Sequence, residues 1–252
     1  MTKSDPPLVA LSDIPTAIGL LTRFPVPGQH GTRMAQAAWA YPLAGLLPAG
    51  LAALIGTAAM WSGLPAPLTA LLALAAMVIT TGALHEDGLA DTADGLWGGW
   101  DRDRRLEIMK DSRIGAYGVI AIAFSLAARW AALSLLFEQG IGAAVTALLG
   151  VAVLSRAGMP VLMAALPHAR ETGLSHKVGQ VRPATAGLAV ATGLVLGLTL
   201  LGIAGIWAAV WAALTTLALG LIARAKIGGQ TGDILGAAQQ LAEIALLFSL
   251  LA

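Results

Sequence analysis

Apolar runs of about twenty residues, separated by short polar segments, occupy most of this 252-residue chain. The longest, Ala184 to Ala223, holds about forty mostly apolar residues, roughly twice what a helix needs to cross the hydrocarbon of a bilayer. Only 12% of the residues are charged, against about 25% in a typical soluble domain. Because backbone groups in hydrocarbon must be hydrogen-bonded within the protein, we expect an all-α fold, a polytopic transmembrane helical bundle.

The pattern predicts about seven spans in a single integral-membrane domain, residues 1–252. An interfacial helix from Leu8 to Leu21 is expected before the first span, because polar residues interrupt its apolar positions and the prolines Pro25 and Pro27 stop it. The same interruptions argue against a cleaved signal peptide. The predicted spans are Tyr41 to Trp61, Ala66 to Leu84, Ile114 to Phe137, Ile141 to Ala165, two within Ala184 to Ala223 that turn at Gly202 to Gly205, and Ile234 to the end.

Basic residues predict the orientation of the bundle. Of the 15 Lys and Arg residues, all except Arg129 and Arg156 fall in the amino-terminal segment or in the loops after the second, fourth and sixth spans. The positive-inside rule therefore predicts a multi-pass protein with a cytoplasmic amino terminus and an external carboxyl terminus. The polar motifs described next would then lie on the cytoplasmic side.

The most unusual polar segment is His85-Glu86-Asp87-Gly88-Leu89-Ala90-Asp91-Thr92-Ala93-Asp94-Gly95, directly after the second apolar run. If the helix continues through it, Asp87, Asp91 and Asp94 project from one face at i, i+4 and i+7. Three like charges near hydrocarbon repel one another and lose hydration, so a divalent cation is expected among them. Oxygen ligands without cysteine favour magnesium, manganese or calcium, although a solvated acidic helix end remains an alternative.

Two further segments share the predicted cytoplasmic face. Lys110 and Arg113, three apart in a polar stretch expected to be helical, could clamp phosphate oxygens. Gly228-Gly229-Gln230-Thr231-Gly232 precedes the last span, where its amides could bind an anion. Asp233 is either an N-cap or a further ligand. Arg102, Arg104 and Arg105, in the same polar stretch as Lys110, are expected to anchor a surface helix to anionic lipid. Either His85 or Glu86 is expected to accept a proton.

These segments, in this order, resemble the cobalamin synthase family, also called the adenosylcobinamide-GDP ribazoletransferases. The resemblance rests on Leu21 to Pro27, His85 to Gly95, Met109 to Gly115 and Gly228 to Asp233, and it covers the whole chain. It implies that adenosylcobinamide-GDP joins α-ribazole or its 5′-phosphate, that GMP leaves, and that Mg²⁺ is required.

The resemblance also implies roles for individual residues. Asp87, Asp91, Asp94 and Glu86 would hold the metal, and His85, Glu86, Lys110 and Arg113 would be catalytic. The residues expected to bind substrate are Arg23, Asp111, Ser112, Gly228, Gly229, Thr231 and Asp233. Besides its substrates, the expected partners are the lipid bilayer and either further copies or other cobalamin-assembly enzymes; nothing in the charge pattern suggests a nucleic acid.

Two alternatives come from other classes. The run Asp91-Thr92-Ala93-Asp94-Gly95 looks like the opening of the CDP-alcohol phosphotransferase signature, although no Ala-Arg pair follows at the usual interval and the second aspartate pair is missing. An ion-coupled transporter would use the charges expected inside spans, Glu243, Arg129 and Arg156. Such a protein often carries inverted repeats, and none is evident here.

Overall fold

The computed structural model describes residues 7–26 and 33–252, which form helices joined by short loops. Across these two ranges no β-strand occurs, only one isolated bridge between His168 and Gln230. The α-helices are α1 Asp13–Leu21, α2 Tyr41–Ala44, α3 Leu46–Trp61, α4 Ala66–Thr81, α5 Leu84–Gly98, α6 Arg102–Ile108, α7 Ala116–Gln139, α8 Ile141–Ala165, α9 Leu174–Val178, α10 Pro183–Leu201, α11 Ala204–Ile227 and α12 Gly232–Ser249; a 3₁₀ helix, Gln36–Ala40, leads into α2. The all-α prediction is confirmed.

Five helical segments of the described chain are long and apolar enough to cross a membrane: Gln36–Trp61, α7, α8, α10 and α11. A sixth is possible if α4 and α5, which meet at an angle of 84°, count together as one broken span. Helix α12 occupies the place of the predicted last span but is not among them; it carries Asp233, Gln239, Gln240 and Glu243. The count of seven therefore stays a prediction.

Several helix boundaries agree with the hydrophobic pattern. The predicted span from Ile141 to Ala165 is α8, and the forty-residue run divides at Gly202 into α10 and α11. The predicted interfacial helix is shorter than expected, since α1 begins at Asp13. The carboxylate of Asp13 is buried and accepts hydrogen bonds from Arg33 and Trp39, which fastens α1 to the 3₁₀ helix and to the residues just before it. Pro27, expected to stop this helix, lies outside the described residues.

Two clusters of buried apolar side chains hold the helices together. One, at the end where α5, α6 and α9 lie, includes Leu96, Met163, Ile227 and Ile234. The other, towards the opposite ends of α3, α4, α7 and α8, includes Phe137, Leu148 and Leu246. Most side chains in both clusters are small or aliphatic, which lets the helices approach closely. The polar segments lie at the end of the bundle that holds α5, α6 and α9.

Candidate active site

A sharp break in the chain positions the acidic helix. Gly82 and Ala83 both adopt left-handed backbone conformations, with φ of 64° and 54°, so α4 ends and α5 starts in a direction 84° away. The continuous helix expected through the acidic segment is therefore not formed. Arg23 lies against this break: its N–H donates to Thr80 O at 2.7 Å, and its side chain occupies the space that a Cβ on Gly82 would need. A left-handed Ala costs about 1–2 kcal/mol, which the surrounding packing must offset.

The three aspartates share the predicted helical spacing but have different surroundings. Asp87 is exposed and Asp91 is half-buried, whereas Asp94 is buried. Both oxygens of Asp94 accept backbone hydrogen bonds at the start of α7, from Gly115 N–H at 2.7 Å and Gly118 N–H at 2.9 Å. A Cβ on Gly115 would stand 2.5 Å from Asp94 Oδ1, so the glycine allows this close approach. Asp94 thus satisfies amides at a helix start, and its role as a metal ligand stays a prediction.

Glu86 points into the bundle, away from Asp87. Its Oε1 receives hydrogen bonds from Arg129 Nη2 at 2.9 Å and from Gln240 Nε2 at 3.2 Å, and all three residues are buried. Arg129 also contacts Glu243 at 3.3 Å, so it pairs with a second buried carboxylate. The structure therefore does not bring Glu86 together with the aspartates that were expected to bind metal with it.

This buried network extends to α8. Gln239 donates to Ser155 Oγ at 3.1 Å and to Glu243, and Arg156 lies within electrostatic range of Glu243 and Glu86. Two guanidinium groups therefore face two carboxylates in the interior, so the formal charges balance. The pairs join α5, α7, α8 and α12, and they fix the rotation of α5 about its axis.

On the other side of α5, a close helix crossing brings carboxylates from two helices together. A Cβ on Gly88 would meet Asp233 O at 2.9 Å, and one on Gly236 would meet His85 Cα at 3.3 Å, so glycines on both helices permit the contact. Asp91 lies within electrostatic range of Asp233, Asp87 and Asp94, which repel it, and of Arg170, which attracts it. Arg170 Nη2 donates to Asp233 Oδ2 at 2.9 Å, while its buried Nη1 has no hydrogen-bond partner.

A cavity of about 100 Å³ opens beside this crossing. Its polar lining comprises Tyr41, His85, Asp87, Arg170, Ser175 and Asp233, and the rest is mostly apolar. His85 is buried, and its Nε2 has no hydrogen-bond partner. The cavity is therefore lined by one histidine, one arginine and two aspartates. Arg170 received no role in the sequence-based interpretation, because its proximity to Asp233 depends on tertiary packing between segments 63 residues apart.

The glycine loop before α12 is held by backbone pairing. Gln230 N–H donates to Pro167 O at 2.8 Å and Gly228 N–H to Arg224 O at 3.1 Å, so these two amides do not serve the predicted anion site. Gly229 lies so close to Pro167 O that a Cβ has no space. Thr231 caps α12 by accepting from Ile234 N–H at 3.3 Å. His168 contacts this loop, since its Nδ1 lies 2.9 Å from Gln230 Nε2. Burial lowers the pKa of His168, and the neighbouring His176 lowers it further.

The Lys110 to Arg113 motif is a loop, because α6 ends at Ile108; the expectation of one helical face was wrong. Asp111 accepts hydrogen bonds from the side chain and backbone N–H of Arg113, and these lower the pKa of Asp111 to about 2. The side chain of Arg113 is 87% exposed. Lys110 and Ser112 are also exposed, so this motif borders the cavity end of the bundle without contributing to its lining.

The basic residues of α6 mainly hold the end of α11. Arg102 donates to Ile227 O at 3.1 Å and to Ala169 O at 2.7 Å, and Arg105 donates to Lys226 O at 3.0 Å. Lys226 in turn donates to Leu96 O at 2.7 Å. Because the last carbonyls of a helix lack intrahelical partners and carry partial negative charge, these cations stabilise the end of α11 and tie it to α5. The predicted anchoring of Arg102, Arg104 and Arg105 to anionic lipid stays a prediction.

This fold and site define an integral-membrane helical protein with a cavity of mixed polar and apolar lining at one end of its bundle. Residues 13–251 match the family model described as cobalamin-5-phosphate synthase. The adenosylcobinamide-GDP ribazoletransferase of Bradyrhizobium diazoefficiens is 44% identical over 242 residues, covering 94% of this chain and 92% of that protein. That of Azorhizobium caulinodans is 44% identical over 255 residues, covering 96% of each.

The chain therefore belongs to the cobalamin-5-phosphate synthase family, and it is a transferase of cobalamin biosynthesis. The resemblance drawn from its four motifs is confirmed. A relative from Brucella ovis with the same description is 43% identical and covers 95% of this chain. No solved structure matches the chain significantly.

Proposed function

We propose that this protein joins adenosylcobinamide-GDP with α-ribazole, or its 5′-phosphate, and releases GMP. The observation that carries the proposal is the meeting of Asp87, Asp91 and Asp233 with Arg170 and His85 at the crossing of α5 and α12. Family membership supplies the substrates, since the relatives are described as adenosylcobinamide-GDP ribazoletransferases.

The reaction is a phosphoryl-type transfer. A ribazole hydroxyl oxygen bonds to the phosphorus that carries cobinamide, the bond from that phosphorus to the bridging oxygen breaks, and GMP leaves with the electron pair. Reactions of this kind need alignment and neutralisation of charge more than covalent help from the protein. Glu86 is held by Arg129, so we assign the hydroxyl proton to His85, a residue that lines the cavity and whose Nε2 has no hydrogen-bond partner within the protein.

The carboxylates fit a Mg²⁺ ion that is shared with substrate. Asp87 and Asp91 offer only oxygen ligands, and the chain contains no cysteine. Among the described residues no three acidic or histidine side chains are close enough to form a complete metal site. Because Mg²⁺ usually takes one or two carboxylates together with waters and phosphate oxygens, we propose that Asp87 and Asp91 supply the protein ligands and that substrate supplies others. When bound, the ion would neutralise phosphate charge beside the aspartates.

Arg170 is better placed than Arg113 to hold a substrate phosphate. One of its guanidinium nitrogens is fixed by Asp233, and the buried Nη1 has no partner within the protein. Arg113 is exposed and engaged by Asp111. We retain Lys110, Arg113, Ser112 and Arg23 as proposed outer contacts to the nucleotide, at the same end of the bundle.

The basic loops support placing this end at the cytoplasmic face of a bacterial inner membrane. Lipid is then the remaining partner; a homo-oligomer or a complex with other cobalamin-assembly enzymes stays a prediction.

Activity of the purified protein in detergent tests the proposal. GMP should be released from adenosylcobinamide-GDP only when α-ribazole and Mg²⁺ are both present. Asp91→Asn should lower kcat at least about 100-fold, whereas the matched change Asp103→Asn, at a carboxylate that is 91% exposed on α6, should have no effect. Release of CMP from a CDP-alcohol, or GMP release that does not depend on ribazole, would refute the assignment.

A further inference from the structure

The lining of the cavity divides into a polar and an apolar group of residues. Tyr41, Ser175, His85, Arg170 and two aspartates carry polar groups, whereas the side chains from α1, α8 and α9 other than Ser175 are apolar: Leu20, Leu21, Met159, Met163, Leu174 and Val178. Met163 and Met159 are almost fully buried, and Val178 is 7% exposed. A ligand group that lies against these apolar side chains must therefore give up its hydration without gaining a polar partner from them.

The size of the cavity restricts which part of a substrate can enter. Its volume of about 100 Å³ is well below the roughly 300–1,000 Å³ of pockets that enclose whole ligands. A corrin ring with its amide side chains is far too large. Guanine carries several donors and acceptors on its edge, and leaving them unpaired among Leu, Met and Val side chains would cost roughly 1–3 kcal/mol for each group.

We propose that this cavity receives the aromatic base of the riboside substrate and selects it by size. The inference rests on the proposed function, because it assigns a subsite to one of that reaction's two substrates. A benzimidazole is flat and bicyclic, and its edge is apolar apart from the ring nitrogens. With the base among Met159, Met163 and Val178, the attached ribose lies towards Asp87 and Arg170, which line the same cavity. The attacking hydroxyl then emerges where the carboxylates of α5 lie.

Methionines at two of the wall positions make the size limit specific. An unbranched thioether fills irregular space and yields to small changes in ligand shape. Substituents on the far edge of the base would contact these side chains, and a difference of one methyl group in an apolar site changes transition-state affinity by about 10- to 200-fold. Met159 and Met163 are therefore specificity-determining residues, along with Val178.

The test measures kcat/KM for three α-ribosides, of benzimidazole, 5,6-dimethylbenzimidazole and the larger naphthimidazole. Met163→Ala enlarges the cavity and should raise the naphthimidazole-to-benzimidazole ratio about tenfold, while Val178→Phe should lower it. KM for adenosylcobinamide-GDP should change less than threefold in both. The matched control is Met77→Ala, a buried methionine in the opposite cluster, which should leave the riboside ratio unchanged.

Two results would overturn the proposal. One is a riboside ratio in Met163→Ala and Val178→Phe equal to that of Met77→Ala. The other is a rise in KM for adenosylcobinamide-GDP without a change in the ratio, which would assign the cavity to the other substrate. If the wild-type protein forms no product at all, the proposed function fails instead; calorimetric binding of the three ribosides to the same variants then decides whether the cavity selects the base.

Discussion

Removing Arg129 should destabilise the bundle far more than removing an arginine from its surface. Arg129 contacts Glu86 at 2.9 Å and Glu243 at 3.3 Å, and its side chain is 1% exposed. In Arg129→Met the two carboxylates face only Arg156, so one buried negative charge has no counterpart. Breaking a buried ion pair in this way costs about 3–5 kcal/mol. For a protein of this size that corresponds to a fall of roughly 6–20 °C in the unfolding midpoint.

A double substitution separates charge balance from packing. Adding Glu86→Gln to Arg129→Met restores equal numbers of buried positive and negative groups, so the double variant should recover part of the lost stability. The surface control is Arg104→Met, whose partner Glu107 is 69% exposed; it should lower the midpoint by no more than about 4 °C, because exposed pairs contribute about 0–1 kcal/mol. The measurement is thermal unfolding of the detergent-solubilised protein, followed by tryptophan fluorescence.

The same series tests whether Glu86 acts on the proton of the substrate. If Glu86 only pairs with Arg129, Glu86→Gln should lower stability but retain activity within about tenfold. If Glu86 is a general base, the same change should lower activity by about 10²- to 10⁴-fold. Equal unfolding midpoints for Arg129→Met and Arg104→Met would refute the reasoning about the network. A loss of activity above 100-fold in folded Glu86→Gln would return Glu86 to the catalytic set.

Three further predictions concern α5 and its neighbours. Asp94→Ala leaves the Gly115 and Gly118 amides without their acceptor and should cost about 1–2 kcal/mol of stability, measured as a lower unfolding midpoint, while Asp94→Asn, which keeps one acceptor oxygen, should cost less. Gly88→Ala should reduce turnover more than tenfold because its Cβ would press on Asp233 O, whereas Gly98→Ala, with 3.8 Å to its nearest neighbour, should retain activity. The pKa of Asp111 is lowered to about 2, so the stability gained from its pairing with Arg113 is present above the ordinary value of 3.8 and is lost only as the pH falls towards 2. The acidic limb of the pH–activity profile should therefore be the same in Asp111→Asn and wild type. A displaced limb in the variant would contradict this.

Features determined by local hydrophobicity could be predicted from the sequence. Helix α8 has the predicted ends because an apolar run bounded by Gly140 and by Leu166-Pro167 leaves little choice of boundary. The division of the forty-residue run at Gly202 follows from span length and one turn-forming residue. The carboxylates at one end were visible in the same way, since acids are scarce elsewhere in the apolar part of the chain.

Features that depend on tertiary contacts could not be predicted in the same way. Asp94 shares the spacing of Asp87 and Asp91, but its partners come from the start of α7, 21 and 24 residues later. Periodicity assigns a face to a side chain and does not say which element covers that face. Glu86 was grouped with the aspartates because it is adjacent in sequence, although adjacent helical residues point about 100° apart.

The bend before α5 had a local signal of moderate strength. Gly82 follows Thr80 and Thr81 at the end of the apolar run, where a glycine often ends a helix in the left-handed conformation. Ala83 adopting a similar conformation had no such signal, since alanine rarely does so. Arg170 likewise gave no local indication that it would pair with Asp233, so its place at the cavity became visible only in the folded chain.

The most direct test of the site is whether Asp87 and Asp91 bind the divalent ion. Mn²⁺, which can replace Mg²⁺ at oxygen ligands, can be titrated by electron paramagnetic resonance into the detergent-solubilised protein with adenosylcobinamide-GDP present. Wild type and Asp103→Asn should bind it with the same affinity, and Asp87→Asn and Asp91→Asn should each weaken binding at least tenfold. Equal affinity in all four proteins would contradict the assignment of the carboxylates beside the α5–α12 crossing as the metal ligands.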